Sequence, residues 1–165
     1  VADMTAMNNI VDQFGDTVAV VGFPCNQFGH QTNENESEFL NTLKYVRPGN
    51  GFEPKFDVFG KVHVNGATAH PLFKWMRSQI PIPNDPAGDS KGNGANDADV
   101  LILSRGGFDS TTITLWSPVT RSDIAWNFEK FLIDANGNVV KRYSRYYPTE
   151  NIAKDIESLL KSGSC

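Results

Sequence analysis

The sequence predicts an α/β domain in which helices flank a central mixed sheet. Segments with helical periodicity alternate with short β-branched runs, in the order helix, strand, helix, strand, helix, two strands, helix. A strand that precedes a helix and a second strand requires a crossover connection, whereas a late hairpin pairs its strands antiparallel. The chain has 165 residues, so we expect a single domain over 1–165.

The first half of the chain predicts two helices around one strand. Met4, Met7 and Ile10 recur at helical spacing, which predicts a first helix over about residues 3 to 14. Thr17 to Phe23 (TVAVVGF) is typical of a strand that is buried on both faces. The segment SEFLNTLKYV predicts a second helix, and its candidate caps are Asn33, Asn35 and Ser37.

The next segment predicts a strand and a helix before a long polar stretch. Val58, Val62 and Val64 indicate a strand that ends at Asn65-Gly66. HPLFKWMRSQI indicates a helix with Pro71 in its first turn. Residues from about 80 to 99 are rich in Pro, Gly, Asn and Asp, so we expect a flexible insertion at about 80–115.

The last third predicts a hairpin and a closing helix. WNFEKFLI and NVVKRYSRYY flank the turn sequence DANG, which is a hairpin signal. PTENIAKDIESLLKS places its apolar residues on one helical face after Thr149, a candidate cap.

Composition excludes several classes of function. A net charge of −4 gives no electrostatic reason for binding nucleic acid or an anionic membrane. No run approaches the roughly 20 apolar residues of a membrane span, and three scattered histidines predict no metal site. Two cysteines, Cys25 and Cys165, form no disulfide framework, so we expect a reducing, cytoplasmic location. The chain opens at Val1 without methionine, and we expect its true start to lie upstream.

The loop GFPCNQFGHQ at 22–31 raises the question of which of its residues takes part in catalysis. Cys25 is the most nucleophilic group there, yet a free cysteine is commonly a small buried hydrophobe. Taken singly, Gln31 is typical of a solvated loop, Trp126 of a core aromatic and Asn127 of a turn.

Three stretches together change that interpretation: GFPCNQFGHQ at 22–31, LKYVRPGNGFEP at 43–54 and WSPVTRSDIAWNFEKFLI at 116–133. They closely resemble the glutathione peroxidase family, in particular its selenocysteine-containing, glutathione-using, tetrameric branch. The resemblance covers nearly the whole chain except about 84–112. It implies a thioredoxin-like fold whose first strand is missing, and the reduction of hydrogen peroxide and organic hydroperoxides in antioxidant defence.

The resemblance also implies roles for the site residues. The family's nucleophile, a selenocysteine or cysteine, would lie about four positions before Val1, so we expect the given chain to be inactive. Gln31, Trp126 and Asn127 match the residues that point polar hydrogens at the chalcogen, and Cys25 matches a framework position. Amide and indole N–H groups can stabilise an anion without titrating or reacting.

Glutathione is the expected reductant, because the resolving cysteine of thioredoxin-using relatives has no counterpart in residues 34–54. Its carboxylates need cationic partners, and the candidates are Arg47, Lys141, Arg142 and Arg145. The branch has an arginine where this chain has Ala2, which would affect glutathione binding. The branch's assembly segment predicts a homotetramer, with Val100 to Leu103 and Ile113 to Trp116 at the interface.

Two alternatives remain. One is a non-catalytic, thioredoxin-like glutathione-binding or assembly module from which the nucleophile has been lost. The other makes Cys25 a substitute peroxidatic thiol.

Overall fold

All four predicted helices are present in the computed structural model, which describes residues 1–84 and 115–163. The helices are α1 (Ala2–Phe14), α2 (Glu36–Tyr45), α3 (Pro71–Gln79) and α4 (Ile152–Ser162). Most of the expected insertion at 80–115 lies outside the described residues. So do the expected interface runs, except Leu115 and Trp116 at the end of the second run. No helix in the described ranges is long and apolar enough to cross a membrane.

Local signals set the helix starts. Of the three candidate caps of α2, Asn35 is the cap: its Oδ1 accepts from the Glu38 N–H at 3.0 Å. The Glu38 carboxylate accepts from the Asn35 N–H at 3.3 Å, which completes a capping box. Pro71 occupies the first turn of α3, as predicted, where a missing N–H costs no helical hydrogen bond.

The described strands form two separate two-stranded sheets. Strand β1 (Val21–Gly22) pairs in parallel with β2 (Asp57–Val58), and β3 (Lys130–Ile133) pairs antiparallel with β4 (Val139–Tyr143). The α/β class and the mixture of parallel and antiparallel pairing are therefore confirmed. The pairing is divided between two sheets, however, and does not run through one continuous sheet in the described part of the chain.

Both early strands are shorter than predicted. Val21 is 45% exposed and borders an open cleft, so the prediction of a strand buried on both faces from Thr17 to Phe23 is wrong. Beyond β2, the Val64 N–H donates to the side-chain oxygen of Gln27 at 2.8 Å. A side chain thus takes the place of a neighbouring strand there, and the ladder does not continue.

The hairpin between β3 and β4 is confirmed. The Asp134 carboxylate accepts from the N–H groups of Asn136 and Asn138 at 2.9 and 2.7 Å. Hydrogen bonds from Asn138 are the main reason that the pKa of Asp134 lies below its usual value. Gly137 has φ 86°, a conformation that glycine adopts without a steric cost.

Two buried clusters lie on opposite faces of β3. Phe131 packs on the first and Leu132 on the second, as expected for consecutive residues of a strand. The first cluster centres on α3 and the loops, with Cys25, Phe28, Val64, Phe73, Met76 and Ile124. The second lies between α1 and α4, with Ile10, Tyr143, Tyr147, Ile152 and Ile156.

Polar contacts join the second cluster to the chain ends. Thr149 makes no cap hydrogen bond, contrary to prediction; its hydroxyl is buried and donates to Asp3 Oδ1 at 2.6 Å. Asp155 Oδ2 accepts from Lys141 Nζ at 2.9 Å and from Tyr143 Oη at 2.8 Å. Burial alone would raise the pKa of Asp155, but these two hydrogen bonds outweigh it and lower that pKa.

We expect Asp155→Ala to destabilise the chain at neutral pH. The hydrogen bond from the Tyr143 hydroxyl to the Asp155 carboxylate would be lost, and a hydrogen bond to a charged group contributes about 1.5–3 kcal/mol to the free energy of unfolding. The pKa of Asp155 is lower in the folded chain than in the unfolded chain. Asp155 therefore contributes fully to the free energy of unfolding above the unfolded-state pKa of about 3.9, and this contribution is lost as the pH falls through the folded-state pKa.

Urea denaturation at pH 7 and at pH 3 measures the difference in the free energy of unfolding between the unsubstituted chain and Asp155→Ala. This difference should be smaller at pH 3. Glu157→Ala is the matched control, since Glu157 is an exposed carboxylate on the same helix. Equal losses in the two variants at pH 7 would contradict the role given to Asp155.

Candidate active site

Two of the predicted site residues contact each other across the fold. Asn127 Nδ2 donates to Gln31 Oε1 at 3.1 Å, although the two residues are 96 positions apart. Trp126 lies beside them: its ring centroid is 5.6 Å from that of Phe28, three positions before Gln31. All three site residues border one cleft of about 1400 Å³. The structure therefore brings Gln31, Trp126 and Asn127 together.

The loop that carries Gln31 is shaped by its own side chains. Asn26 Oδ1 accepts from the Thr32 N–H at 2.8 Å, and Asn26 Nδ2 donates to Asn33 Oδ1 at 2.9 Å. Between them, Gly29 and His30 both have left-handed backbones, at φ 68° and 51°. This turn brings the loop back on itself and presents Gln31 at the cleft.

A buried amide, Gln27, anchors the same loop. Gln27 is 4% exposed, and its Oε1 accepts from the N–H groups of Val64 and Asn65 at 2.8 and 3.0 Å. Its Nε2 donates to the Asn65 carbonyl at 3.1 Å. One side chain thus satisfies three backbone groups that no strand reaches.

A second buried amide continues the connection to the loop of Trp126. Asn65 is fully buried; its Nδ2 donates to the Ile124 carbonyl and its Oδ1 accepts from the Ile124 N–H, both at 2.9 Å. We call Gln27, Asn65 and Ile124 the amide relay. It joins the two loops whose ends carry Gln31 and Trp126.

An internal ion pair holds the Trp126 loop from its other side. Arg142 Nη2 lies 2.8 Å from Glu129 Oε2, and both side chains are 1% exposed. Arg142 also donates to the carbonyls of Ser122 and Asp123, and Glu129 accepts from the Ala125 N–H. Burial raises the pKa of the Glu129 carboxyl, against the opposing effect of Arg142.

A second internal ion pair holds the start of this segment. Asp123 is 2% exposed and pairs with Arg77 of α3. Its Oδ2 accepts from Trp116 Nε1 and from the Thr120 N–H, both at 2.8 Å. Gly66, at φ 76°, packs against this segment: a Cβ there would lie 2.9 Å from Trp116 Cβ.

The four candidate glutathione-binding cations have different environments. Arg142 is buried in the ion pair with Glu129 and donates to four backbone carbonyls, so the prediction that it binds glutathione is corrected. Lys141 is half-buried and pairs with Asp155. The guanidinium of Arg145 lies 4.1 Å from the ring centroid of Tyr146. Arg47 is exposed and borders the same cleft as Gln31.

Cys25 has the environment expected for a framework residue. It is 8% exposed and packs with Phe28 and Val64 in the first cluster. Burial raises the pKa of its thiol, which disfavours the nucleophilic thiolate. This environment opposes the alternative in which Cys25 is a substitute peroxidatic thiol.

Motif analysis missed the residues that support the site: Gln27, Asn65, Asp123 and Glu129, with Arg142 in a different role. The available signal was the occurrence of polar residues within or beside apolar runs, such as Gln27 in FPCNQF and Glu129 in WNFEKFLI. In the described ranges, no three His, Cys, Asp or Glu side chains are grouped so that they could hold a metal ion.

We expect Arg142→Met to be strongly destabilising. It would leave the Glu129 carboxylate buried without its partner, and breaking a buried pair in this way costs about 3–5 kcal/mol. Arg47→Met is the matched control, because an exposed arginine of this kind contributes within about 0.5 kcal/mol. Chemical denaturation with circular dichroism measures both variants; similar unfolding midpoints would contradict the buried role of Arg142.

Comparisons with known proteins show the family to which the chain belongs. The Glutathione peroxidase family (GSHPx) matches residues 1–77. Glutathione peroxidase 1 of Hylobates lar is 50% identical over 167 residues, covering 100% of this chain and 75% of that protein. The Mus musculus protein of the same name is 47% identical over 165 residues, covering 99% and 74%.

Solved structures show the same fold. The crystal structure of T. cruzi GPX1 aligns with a TM-score of 0.54 and 24% identity, over 97% of this chain and 72% of that one. The apo form of Trgpx aligns with a TM-score of 0.52 and 24% identity, over 96% and 71%. The fold is thioredoxin-like, as predicted, and with about half of its residues identical to those of curated relatives, this chain belongs to the glutathione peroxidase family.

Proposed function

We propose that the complete protein is a glutathione peroxidase that reduces hydrogen peroxide and organic hydroperoxides with glutathione in antioxidant defence. One observation carries the assignment to this site: the hydrogen bond between Asn127 and Gln31, with Trp126 beside it. Three side chains that carry uncharged N–H groups, from two distant loops, border the same cleft. Relatives named Glutathione peroxidase 1 support the same activity.

The roles of the three residues follow from their chemistry. In our proposal a selenocysteine or cysteine that precedes Val1 supplies the two-electron reduction of the peroxide, and two glutathione molecules restore it. Gln31 Oε1 accepts from Asn127, and within residues 1–84 and 115–163 the Gln31 amide N–H groups donate no side-chain hydrogen bond to the protein. Donors of this kind stabilise an anion and do not compete with it for protons or for peroxide.

Among the candidate cations, Arg47 is the one that we propose most directly binds a carboxylate of glutathione. It is exposed, it borders the cleft that Gln31 and Trp126 line, and a guanidinium binds a carboxylate through two parallel hydrogen bonds. Lys141 and Arg145 remain secondary proposals, because Lys141 is paired with Asp155 and the Arg145 guanidinium lies against Tyr146. Ala2 offers no charge at the helix start, so Arg47 is the preferred candidate for binding a glutathione carboxylate.

The peroxidase proposal is tested by kinetics of the protein with the nucleophile-bearing segment restored. We expect Trp126→Phe to slow the peroxide step by about tenfold or more, since removing one such donor elsewhere costs up to 10²–10³-fold. Trp75→Phe is the matched control, because Trp75 lies 38% exposed on α3.

The 165-residue chain itself should show no turnover in a coupled glutathione assay, since Gln31, Trp126 and Asn127 are not nucleophiles and Cys25 is buried. Turnover by that chain, or unchanged peroxide kinetics in Trp126→Phe, would count against the proposal. Reading the transcript ahead of the Val1 codon separates it from the non-catalytic module: an in-frame stop codon followed by Gly-Thr-Thr codons favours the enzyme.

We further propose a cytoplasmic homotetramer. The apolar runs 100–103 and 113–116 would supply the interface, and the Gly-rich stretch before them would not. Light scattering on the complete protein, with residues 86–98 present and then deleted, tests whether the apolar runs alone are sufficient for the interface. We expect a tetramer in both cases; a monomer in both would contradict the proposal.

A further inference from the structure

Lys61 contacts the loop that carries Gln31 from another part of the chain. Its Nζ donates to the Thr32 carbonyl at 2.7 Å and to the Glu34 carbonyl at 2.5 Å, across 29 and 27 positions of the sequence. Thr32 directly follows Gln31. Lys61 is therefore bonded to the backbone of the residue next to a side chain of the candidate site.

The backbone of Lys61 is fixed beside the start of the same loop. The Phe59 N–H donates to the Gly22 carbonyl of β1 at 2.9 Å. The Val62 N–H donates to the Pro24 carbonyl, also at 2.9 Å. Lys61 lies between these two bonds, so its side chain extends from an anchored backbone to the far end of the loop.

Both backbone groups of Thr32 are bonded to side chains. The Thr32 N–H donates to Asn26 Oδ1 at 2.8 Å, and the Thr32 carbonyl accepts from Lys61. Asn26 belongs to the loop itself, whereas Lys61 belongs to the segment after β2. The contact from Lys61 thus connects the backbone next to Gln31 with a different segment of the domain.

The chemistry of an ammonium group suits this contact. Lys61 is half-buried, and among residues 1–84 and 115–163 it forms no salt bridge. Its three N–H donors can bond to two converging carbonyls at once. Hydrogen bonds with a charged donor are about twice as strong as those between neutral groups. The side chain is therefore used for holding backbone carbonyls and not for pairing with a carboxylate.

We propose that Lys61 is a positioning residue for peroxide reduction: its bonds to the Thr32 and Glu34 carbonyls hold Gln31 where its amide can stabilise the nucleophile. This inference rests on the proposed function. In this role Lys61 acts through Gln31 and touches neither peroxide nor glutathione. A displacement of about 1 Å in a positioned group can cost about 10²-fold in rate, so a small shift of this loop is enough to slow the reaction.

The first test is the kinetics of the protein with the nucleophile-bearing segment restored. Lys61→Met keeps an unbranched side chain but removes the N–H donors. We expect it to slow the peroxide step about tenfold and to leave the glutathione steps unchanged to within about twofold, because only the peroxide step depends on the position of Gln31. Lys61→Arg retains charged donors and should return the peroxide step to within about threefold of the unsubstituted protein.

Lys74→Met is the matched control. Lys74 Nζ also donates to a backbone carbonyl, that of Ala67 at 2.8 Å, but in a different loop. We expect both steps to be unchanged in this variant. If Lys61→Met slowed the peroxide and glutathione steps equally, or if Lys61→Arg restored nothing, a purely structural role would be indicated and the proposal would be overturned.

A double-mutant cycle tests whether Lys61 acts through Gln31. Gln31→Ala alone should slow the peroxide step about tenfold or more, since it removes an N–H donor. In that background we expect Lys61→Met to change the peroxide step by no more than about twofold, because the group that it positions is absent. Two effects that multiply in full would overturn the proposal.

Hydrogen exchange provides a readout that needs no activity. It uses the same restored protein with serine at the nucleophile position, and mass spectrometry resolves single amides. We expect Lys61→Met to make exchange of the Thr32 amide about tenfold faster and to leave the amides of α3 unchanged, since only the loop loses a contact. Lys74→Met should not alter exchange at Thr32. Unchanged exchange at Thr32 in Lys61→Met would overturn the proposal.

The two measurements separate this inference from the proposed function. A restored, unsubstituted protein that does not reduce peroxide would overturn the proposed function and the kinetic role of Lys61, whereas hydrogen exchange would still show whether Lys61 holds the loop. Circular dichroism checks that each variant folds. If Lys61→Met does not fold, Lys61→Gln replaces it, since it keeps a neutral donor and loses the charge.

Discussion

The amide relay is the constraint on which the rest of the site depends. Gln27 and Asn65 are both almost completely buried, and each forms paired hydrogen bonds with a backbone that lacks a strand partner. Leaving a buried backbone group without a partner costs about 1–3 kcal/mol. An apolar residue at either position would leave more than one such group without a partner, and each would add its own cost. The relay fixes the distance between two loops that share no ladder.

The internal ion pairs act on the same loops in another way. Arg142 and Glu129 bind the backbone between Ser122 and Ala125, and Asp123 binds Arg77. Buried pairs of this kind add little net stability compared with apolar residues of the same size. Their value here is positional: the charges are neutralised inside the fold, and the groups presented at the cleft by Gln31, Trp126 and Asn127 are neutral donors.

Local signals allowed the helices to be predicted, whereas the strands depended on contacts that no local pattern contains. The capping box of Asn35 and the first-turn proline of α3 lie within a few residues of the helices that they start. The limits of β1 and β2 depend instead on Gln27, whose side chain replaces a strand partner near Val64. Apolar runs could not reveal that replacement, so both strands were predicted too long.

In the candidate site, too, some features could be predicted from local sequence and others depended on the fold. Gln31, Trp126 and Asn127 could be selected from motifs, but the hydrogen bond that joins two of them spans 96 positions and required the fold. Arg142 was misplaced because its charge is typical of a surface residue. Only the position of Glu129 on the neighbouring strand segment explains why a guanidinium is buried there.

Gly66 limits how far this sequence can vary. A methyl group at that position would lie 2.9 Å from Trp116 Cβ and 3.0 Å from the Ser117 carbonyl, and neither atom belongs to a flexible side-chain end. Any other amino acid would have to displace the backbone that leads to Asp123 and then to Trp126, and would also adopt a left-handed φ of 76°. A residue without a side chain is thus among the least replaceable in the domain, and tolerance to substitution should be lower there than at many positions that carry functional groups.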